Sequence, residues 1–202
     1  LMGGDKAFTR KLDSIFTLSP VFDDSYYGFV IHEIREMQIM DMGNYAHGNQ
    51  PIQHMIYLYD YAGEPAKTQY WVREVMRRLY SDRPDGYCGD EDNGQTSAWY
   101  VFSALGFYPV TPALGQYAIG TPYFREVSLS MPEGKSFVIR ASDPNVPYIQ
   151  SAQLNGKPWE KTYIDYETLR RGGSMTFTLG AKATSWGTHA SARPYSFSRA
   201  KK

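Results

Sequence analysis

The sequence predicts an α+β fold in which a helical half precedes a β-rich half. In residues 1–108, apolar side chains recur at the 3.6-residue spacing of amphipathic helices, and short loops separate the stretches that carry them. From residue 109 onward, proline and glycine recur, and short runs of β-branched and aromatic residues replace the helical period. We therefore expect a helical region over residues 1–108 and a small antiparallel β region over residues 109–202.

Five amphipathic helices are predicted in the first region. Their expected starting points are Asp5, residues 23–25, Asn49, Pro65 and the acidic turn at residues 90–92. The last helix would be capped by Asp92 or Asn93, because short polar side chains accept hydrogen bonds from the first free N–H groups of a helix. Amphipathic helices joined by short loops are typical of an antiparallel helical array.

The second region shows the pattern of short strands. Strands are predicted at residues 127–131, 136–140, 149–154 and 175–179. Asn155-Gly156 predicts a two-residue hairpin that joins the third strand to residues 157–159, and residues 165–170 predict a single helical turn. Because so few strands do not complete a sheet of the usual size, we expect a piece of a larger protein.

The composition excludes several classes of function. The 21 Lys and Arg residues balance 21 Asp and Glu residues, so the chain lacks the basic surface of a nucleic-acid-binding protein. No apolar run is long enough to span a bilayer. Cys88 is the single cysteine, which rules out an internal disulfide and a cysteine-based zinc site. We therefore expect neither a nucleic-acid partner nor a membrane span.

Three consecutive acids lie in the run Gly-Asp-Glu-Asp-Asn-Gly at residues 89–94. Carboxylates this close repel one another, so the fold must hold them in water, on a metal ion or at a helix N-terminus. Two interpretations remain open. The turn is either a solvated helix cap or a carboxylate cluster fixed at the end of a rigid element, where a general base is useful.

A second polar loop, His-Gly-Asn-Gln-Pro at residues 47–51, also precedes a predicted helix. In an array of alternating helices, the ends of every second helix lie on one side, so both loops are expected to face one pocket. The side-chain oxygens of Asn49 and Gln50 are hard ligands of the kind that calcium accepts, although no EF-hand spacing occurs. His47 fits either a structural role or a ligand role.

Paired carboxylates are the only catalytic chemistry that the motifs offer. The sequence lacks a Gly-x-Ser-x-Gly elbow, a Walker loop and a Gly-x-Gly-x-x-Gly pattern. An inverting glycosidase needs one carboxylate to activate water and a second carboxyl group, across the sugar, to protonate the leaving oxygen. Asp90 and Asp92, which are close in the chain, would together form one side of that arrangement. No acid is identified, because Glu33, Glu36 and Glu64 follow the pattern of ordinary helix-surface glutamates.

Several longer blocks of the sequence follow a known pattern. They lie at residues 3–8, 11–13, 47–51, 57–63, 67–69, 89–110, 116–122 and 169–173, and the longest begins Gly-Asp-Glu-Asp-Asn-Gly-Gln-Thr-Ser-Ala-Trp-Tyr. In this order, the blocks resemble the family 92 glycoside hydrolases, which are calcium-dependent, exo-acting α-mannosidases. The resemblance covers nearly the whole chain.

The resemblance implies part of an (α/α)₆-barrel catalytic domain that hydrolyses terminal mannose with inversion. It implies that Asp92 is the general base that activates water, with Asp90 beside it as a second carboxylate. Asn49 and Gln50 would help to hold calcium, which in the family grips the sugar hydroxyls and favours a distorted ring. The expected substrate contacts are Glu91, His47 and Gln95.

Family members are several times longer than this chain, so the resemblance also implies a C-terminal fragment that needs the remainder of its parent chain. The general acid would lie upstream of Gly3, and we expect the isolated fragment to have little or no activity. The expected substrate is a mannose-containing glycan, with α-1,2 linkages favoured, and the expected location is the periplasm or cell surface of a bacterium. The alternatives are a non-catalytic carbohydrate-binding or structural module on the same scaffold, and an inverting hydrolase of another sugar.

Overall fold

A computed structural model describes residues 2–199 of the chain. The α-helices are α1 (Asp5–Thr17), α2 (His32–Met40), α3 (Leu58–Ala62), α4 (Pro65–Leu79), α5 (Gln95–Leu105) and α6 (Tyr166–Arg170). None of the helices in this range combines the length and apolar character needed to cross a membrane. Apart from α6, the α-helices precede residue 106, as the 3.6-residue period predicts.

The second predicted helix begins later than expected. Residues 23–25 lead into a single 3₁₀ turn at Ser25–Tyr27, and α2 begins only at His32. The Asp23 carboxylate accepts a hydrogen bond from the Ser25 N–H (3.0 Å) and so closes a local turn. That turn competes with helix formation at the predicted start.

The third predicted helix begins as a 3₁₀ helix, Gln50–Tyr57, and becomes α-helical only at Leu58. Asn49 precedes this helix, as its predicted starting point requires, but its side chain makes no capping hydrogen bond. Pro51 lies at the start of this helix, where its missing N–H costs no hydrogen bond.

The β region contains eight strands in its described part. They are β1 (Phe107–Thr111), β2 (Gln116–Ile119), β3 (Glu126–Ser130), β4 (Ser136–Ala141), β5 (Tyr148–Leu154), β6 (Lys157–Pro158), β7 (Tyr163–Asp165) and β8 (Gly173–Gly180). A three-stranded sheet has the order β1–β2–β7, and a five-stranded sheet has the order β3–β4–β8–β5–β6. All neighbouring strands are antiparallel except β4 and β8.

The three-stranded sheet was not expected from the sequence. Its strands are short, β1 contains Pro109, and the register of β1 shifts between Tyr108 and Thr111. Such strands lack a clear alternating pattern. The expectation of too few strands to complete a sheet is therefore wrong. The Asn155-Gly156 hairpin is confirmed, because both residues have the positive φ of its turn (50° and 76°) between β5 and β6.

Two hydrophobic cores meet at the β1–β2 hairpin. Phe107 and Ile119 lie in the core of the β region, whereas Tyr108 and Ala118 lie in the core formed by the helices. Successive residues of a strand point to opposite faces, so one hairpin serves both cores. The division between residues 1–108 and 109–202 therefore falls inside a strand that both cores share.

Candidate active site

The loop before the Gln50–Tyr57 helix and the acidic turn before α5 lie against each other at two glycines. A Cβ atom placed on Gly89 would lie 2.7 Å from the Gly48 Cα, and one placed on Gly48 would lie 3.0 Å from the Cys88 carbonyl oxygen. Real Cβ atoms rarely make contacts this short, so a side chain at either position would force its neighbours to shift. The two predicted loops are therefore in direct backbone contact.

Side-chain amides tie the two loops together. Gln95 Nε2 donates to Gln53 Oε1 (3.1 Å) and to the Tyr108 hydroxyl (3.0 Å). Gln53 Nε2 donates to the His47 carbonyl oxygen (3.1 Å), and the Trp99 indole N–H donates to the Gln53 carbonyl oxygen (3.0 Å). Gln95, an expected substrate contact, thus uses its two N–H donors within the fold and leaves Oε1 for a ligand.

Glu91, not Asp92 or Asn93, supplies the capping group at the start of α5. Its Oε2 accepts a hydrogen bond from the Gly94 N–H (2.7 Å), and its Oε1 accepts one from the Ser97 hydroxyl (2.6 Å). Asp92 and Asn93 have left-handed φ values of 59° and 54°, which an N-cap residue does not adopt. The bonds from Ser97 and then Gly94 lower the pKa of Glu91. This carboxylate is therefore ionised and engaged with the helix, although we expected it to contact a sugar.

Asp90 and Asp92, the two expected catalytic carboxylates, keep access to solvent. The Asp90 side chain is 74% exposed, and its Oδ2 lies 3.6 Å from His32 Nε2 at the start of α2. The Asp92 side chain is half-buried beside it. Asp90 therefore faces α2, and the charge of Asp92 also acts on Glu36 of that helix.

Helix α2 brings a third carboxylate to this face, that of Glu36, which the sequence reasoning missed. A Cβ atom placed on Gly89 would lie 2.6 Å from Glu36 Oε2, so the carboxylate rests on the contact between the loops. Burial raises the pKa of Glu36; His32 opposes the rise, and the charges of Asp90 and Asp92 add to it. No spacing in the sequence signals this role, because it depends on how α2 folds back over the two glycines.

A cleft of about 590 Å³ opens beside Glu36 and Asp90, whereas Asp92 does not line it. Its lining includes Glu36, Asp90, Arg78 and Tyr87. Cavities of this size hold small ligands, and the mixture of charged groups with an aromatic ring suits a sugar. No residue of 47–51 lines the cleft, so the acidic turn shares it with α2 rather than with the second predicted loop.

His47 lies in the helical core and has no exposed surface. Its Nδ1 is 2.8 Å from the Tyr45 hydroxyl, and its Nε2 is 2.7 Å from the Tyr80 hydroxyl. Burial lowers the pKa of His47 to about 3, so the imidazole is neutral near neutral pH. Both ring nitrogens are occupied by protein groups. Of the two roles that its pattern allowed, the structure supports the structural one over contact with substrate.

Asn49 and Gln50, the expected calcium ligands, follow Gly48 and are half-buried and exposed, respectively. Their amide oxygens are hard donors, which matches the preference of calcium. Residues 2–199 contain no group of three or more His, Cys, Asp or Glu side chains that could hold a metal ion. Because calcium takes about six to eight oxygen ligands, Asn49 and Gln50 fit as part of a coordination shell that other oxygens would complete.

Known proteins resemble this chain in sequence. A secreted glycosidase from Arthroderma benhamiae is 35% identical over 147 residues, which make up 70% of this chain and 19% of the fungal protein. Carboxylates beside a cleft are the groups that a glycoside hydrolase requires, and this relative is described as a glycosidase. The family described as the glycosyl hydrolase family 92 catalytic domain matches residues 1–181, and the chain belongs to that family.

Solved structures share the fold. The inverting family 92 mannosidase of Bacteroides thetaiotaomicron has a TM-score of 0.83 and 51% identity over 98% of this chain and 27% of its own. A second structure from that organism, a family 92 α-mannosidase in complex with mannoimidazole, has a TM-score of 0.83 and 34% identity over 96% of this chain and 25% of its own. The helices are therefore the helical part of an (α/α)₆ barrel, and the chain spans about a quarter of the length of these relatives.

Proposed function

We propose that this chain is part of an inverting α-mannosidase that removes terminal mannose from glycans. The observation that carries the proposal is the placement of Asp90 and Asp92 together just before α5, close to Glu36 and next to an open cleft that Asp90 and Glu36 line. The solved relatives named above are mannosidases, and one is described as inverting. Because the chain spans about a quarter of those relatives, the activity is proposed for the whole protein.

Asp92 is the proposed general base, and Asp90 is the carboxylate that supports it. In an inverting hydrolysis the base takes a proton from water as the water oxygen attacks the anomeric carbon, and a carboxylic acid across the sugar protonates the leaving oxygen. Glu91 is engaged as the helix cap, which leaves Asp90 and Asp92 as the acids of the turn that can accept this proton.

The general acid is proposed to come from the remainder of the parent chain. An inverting enzyme separates its acid and base by roughly 6.5–9.5 Å, with the sugar and the water between them. Glu36 retains a proton more readily than an ordinary glutamate, but it lies on the same face as Asp90 and Asp92. It is therefore poorly placed to act from across the sugar.

Calcium is the proposed cofactor, held in part by Asn49 and Gln50. When bound, calcium would take oxygen ligands from the mannose hydroxyls and so favour a distorted ring. The oxygen chemistry of the two side chains supports this proposal, as does the packing of Gly48 on Gly89, which keeps the 47–51 loop beside the acidic turn.

The remainder of the parent chain is also the proposed partner of an exposed apolar segment, residues 18–30. Its exposed large side chains are Leu18, Val21, Phe22, Tyr26, Tyr27, Phe29 and Val30. Large apolar side chains exposed in such number along one segment are usually covered by protein. The solved inverting relative extends well beyond the matched part, which is 27% of its length, and so supplies candidates to cover the segment.

We also propose that the protein acts in the periplasm or outside the cell. The fungal relative is described as secreted. An exported enzyme would meet the mannose-containing glycans that lie outside the cell.

Mannose release by the full-length protein tests this function. The protein is incubated with α-1,2-, α-1,3- and α-1,6-linked mannobiose, and NMR follows the anomer released. We expect β-mannose to form first, the reaction to stop with a chelator and calcium to restore it. Release of α-mannose would exclude inversion, and activity that resists chelation would exclude calcium. Sugar binding without turnover would favour the carbohydrate-binding module.

A further inference from the structure

Each backbone carbonyl of the acidic turn accepts a hydrogen bond from one of the first two residues of α5. Thr96 Oγ1 donates to the Asp90 carbonyl oxygen (3.0 Å). The Thr96 N–H donates to the Glu91 carbonyl oxygen (3.1 Å), and the Gln95 N–H donates to that of Asp92 (3.3 Å). The side chains of Asp90 and Asp92 therefore extend from a backbone whose carbonyl groups are held by hydrogen bonds at three consecutive residues.

Thr96 makes two of these three bonds and is itself held from the core. It has no exposed surface. Its carbonyl oxygen accepts a hydrogen bond from the Tyr80 hydroxyl (3.2 Å), and its Oγ1 accepts one from Gln53 Nε2 (3.4 Å). Thr96 therefore joins the buried core on one side to the acidic turn on the other.

The bond from Tyr80 to Thr96 also determines which group donates and which accepts in the two hydrogen bonds of His47. The Tyr80 hydroxyl has one proton, which it donates to Thr96, so it must accept from His47 Nε2 (2.7 Å). His47 then carries its proton on Nε2, and its Nδ1 accepts from the Tyr45 hydroxyl (2.8 Å). A directed chain of neutral hydrogen bonds thus runs from Tyr45 through His47 and Tyr80 to the first turn of α5.

We propose that Thr96 is the positioning residue that aims the Asp90 and Asp92 carboxylates, and that His47 and Tyr80 fix Thr96 from the core. The catalytic consequence rests on the proposed function, whereas the structural link does not. Thr96 acts through the backbone, because the orientation of each carboxylate follows the peptide planes that these hydrogen bonds hold. Precision matters here, since a displacement of about 1 Å can cost an enzyme on the order of a hundredfold in rate.

Two substitutions at Thr96 distinguish the effect of its hydroxyl donor from the effect of its side-chain shape. Thr96→Val removes the Oγ1 donor and keeps the β-branched volume, whereas Thr96→Ser keeps the donor. Hydrogen exchange of the full-length protein is followed at the Gln95 and Thr96 amides. We expect exchange about tenfold faster in Thr96→Val and close to wild type in Thr96→Ser.

Amides of β8 provide the internal control, because global unfolding would expose them as well. Equal exchange at the turn in all three proteins would overturn the proposal, whatever the activity. Faster exchange at the turn and in β8 together would also overturn it, since the effect would then be global.

Kinetics of the full-length protein on a mannoside test the catalytic consequence. We expect Thr96→Val to lower kcat by on the order of tenfold to a hundredfold. KM should change by less than about twofold, because the interaction lost matters in the transition state. Thr96→Ser should restore most of the rate. A change in KM alone, or equal losses for both variants, would overturn the proposal. If the wild-type protein releases no mannose, the proposed function fails, and hydrogen exchange still decides the structural link.

A matched pair of tyrosine variants tests the connection to the core. Tyr80→Phe and Tyr45→Phe each remove one hydroxyl from His47, but only the Tyr80 hydroxyl reaches α5. Both should lower the melting temperature, because each leaves one imidazole nitrogen unpaired, and Tyr80→Phe should do so somewhat more because the Thr96 carbonyl oxygen also loses a donor. We expect kcat to fall in Tyr80→Phe and to stay near wild type in Tyr45→Phe. Equal losses of kcat would assign the effect to global stability and overturn the role of Tyr80.

Discussion

The acidic turn at residues 90–92 and the buried acid Asp60 in α3 place the same functional group in opposite surroundings. At the turn, the Asp90 carboxylate faces solvent while its backbone carbonyl is held by Thr96. Asp60 has no exposed surface, and among the described residues neither of its carboxyl oxygens has a hydrogen-bond partner. The neighbouring Thr68 hydroxyl donates instead to the Ile56 carbonyl oxygen (3.3 Å).

This difference separates carboxylates that are able to act on a substrate from a buried carboxyl group that lowers the stability of the fold. Water stabilises the charge of the turn carboxylates, and the fixed backbone gives them a direction. Burial raises the pKa of Asp60 well above its ordinary value, so that carboxyl holds its proton and offers no charge to a substrate. Substitution of each acid by its amide should therefore have opposite consequences.

Asp92→Asn carries the largest expected effect. An amide cannot accept the proton from water, so kcat should fall by on the order of 10² to 10⁴-fold. Asparagine tolerates the left-handed backbone at this position, and the carbonyl bond to Gln95 remains, so the free energy of unfolding should change by less than about 0.5 kcal/mol. Steady-state kinetics and urea unfolding of the full-length protein measure the two quantities. A variant that keeps the full rate would show that Asp92 is not the base.

Asp60→Asn should change stability and leave the rate unaltered. In the unfolded chain the Asp60 carboxyl ionises near pH 3.9, whereas the folded protein holds the proton to higher pH. Above about pH 4 the folded state therefore binds more protons than the unfolded state, and wild-type stability should fall by up to about 1.4 kcal/mol per pH unit. The variant should lack this contribution and become the more stable protein as the pH rises.

Urea unfolding between about pH 5 and pH 8 checks the prediction for Asp60, with the Asp92→Asn variant as the control for loss of an acid that reaches solvent. Parallel pH profiles for wild type and Asp60→Asn would show that the Asp60 carboxyl ionises normally in the folded protein.

The paired change of Phe29 and Val30 to Ser should have a small effect on stability, and it extends the comparison to exposed apolar groups. These side chains are 73% and 67% exposed, so the free energy of unfolding should change by less than about 0.5 kcal/mol. Because segment 18–30 is proposed to be covered in the parent protein, the 202-residue chain should self-associate and the variant should do so less. Sedimentation velocity measures this, with Val101→Ser as a control at an exposed valine outside the segment. A wild-type chain that stays monomeric would contradict the docking proposal.

The order of helices and most of the larger strands could be predicted, because periodicity is a local property. The position of the acidic turn at a helix start was also predictable, but its cap was not. Asp92 and Asn93 look like better caps than Glu91, and only the left-handed backbone of the turn reverses that preference. Predictions from propensity fail where several residues adopt an unusual conformation together.

Other features of the candidate site depend on distant residues and could not be read from any motif. His47 is paired with Tyr80, 33 positions away, and its burial follows from that packing. Glu36 reaches the turn only because α2 folds over Gly89. Likewise, no pattern marks Thr96 as more than one polar residue in the first turn of α5. Short-range patterns locate the acids, and tertiary structure decides what surrounds them.

The β1–β2 hairpin has a consequence for how this protein can evolve or be engineered. A chain ended after residue 108 would strip Ala118 from the helical core, and a chain begun at residue 109 would strip Phe107 from the other. Farther along, the buried Ile149 N–H of β5 would also lose Gln69 Oε1 of α4, its hydrogen-bond acceptor at 3.0 Å. The helical region therefore requires the β strands in order to fold. Recombination that separates the two regions within the β1–β2 hairpin should give two insoluble fragments.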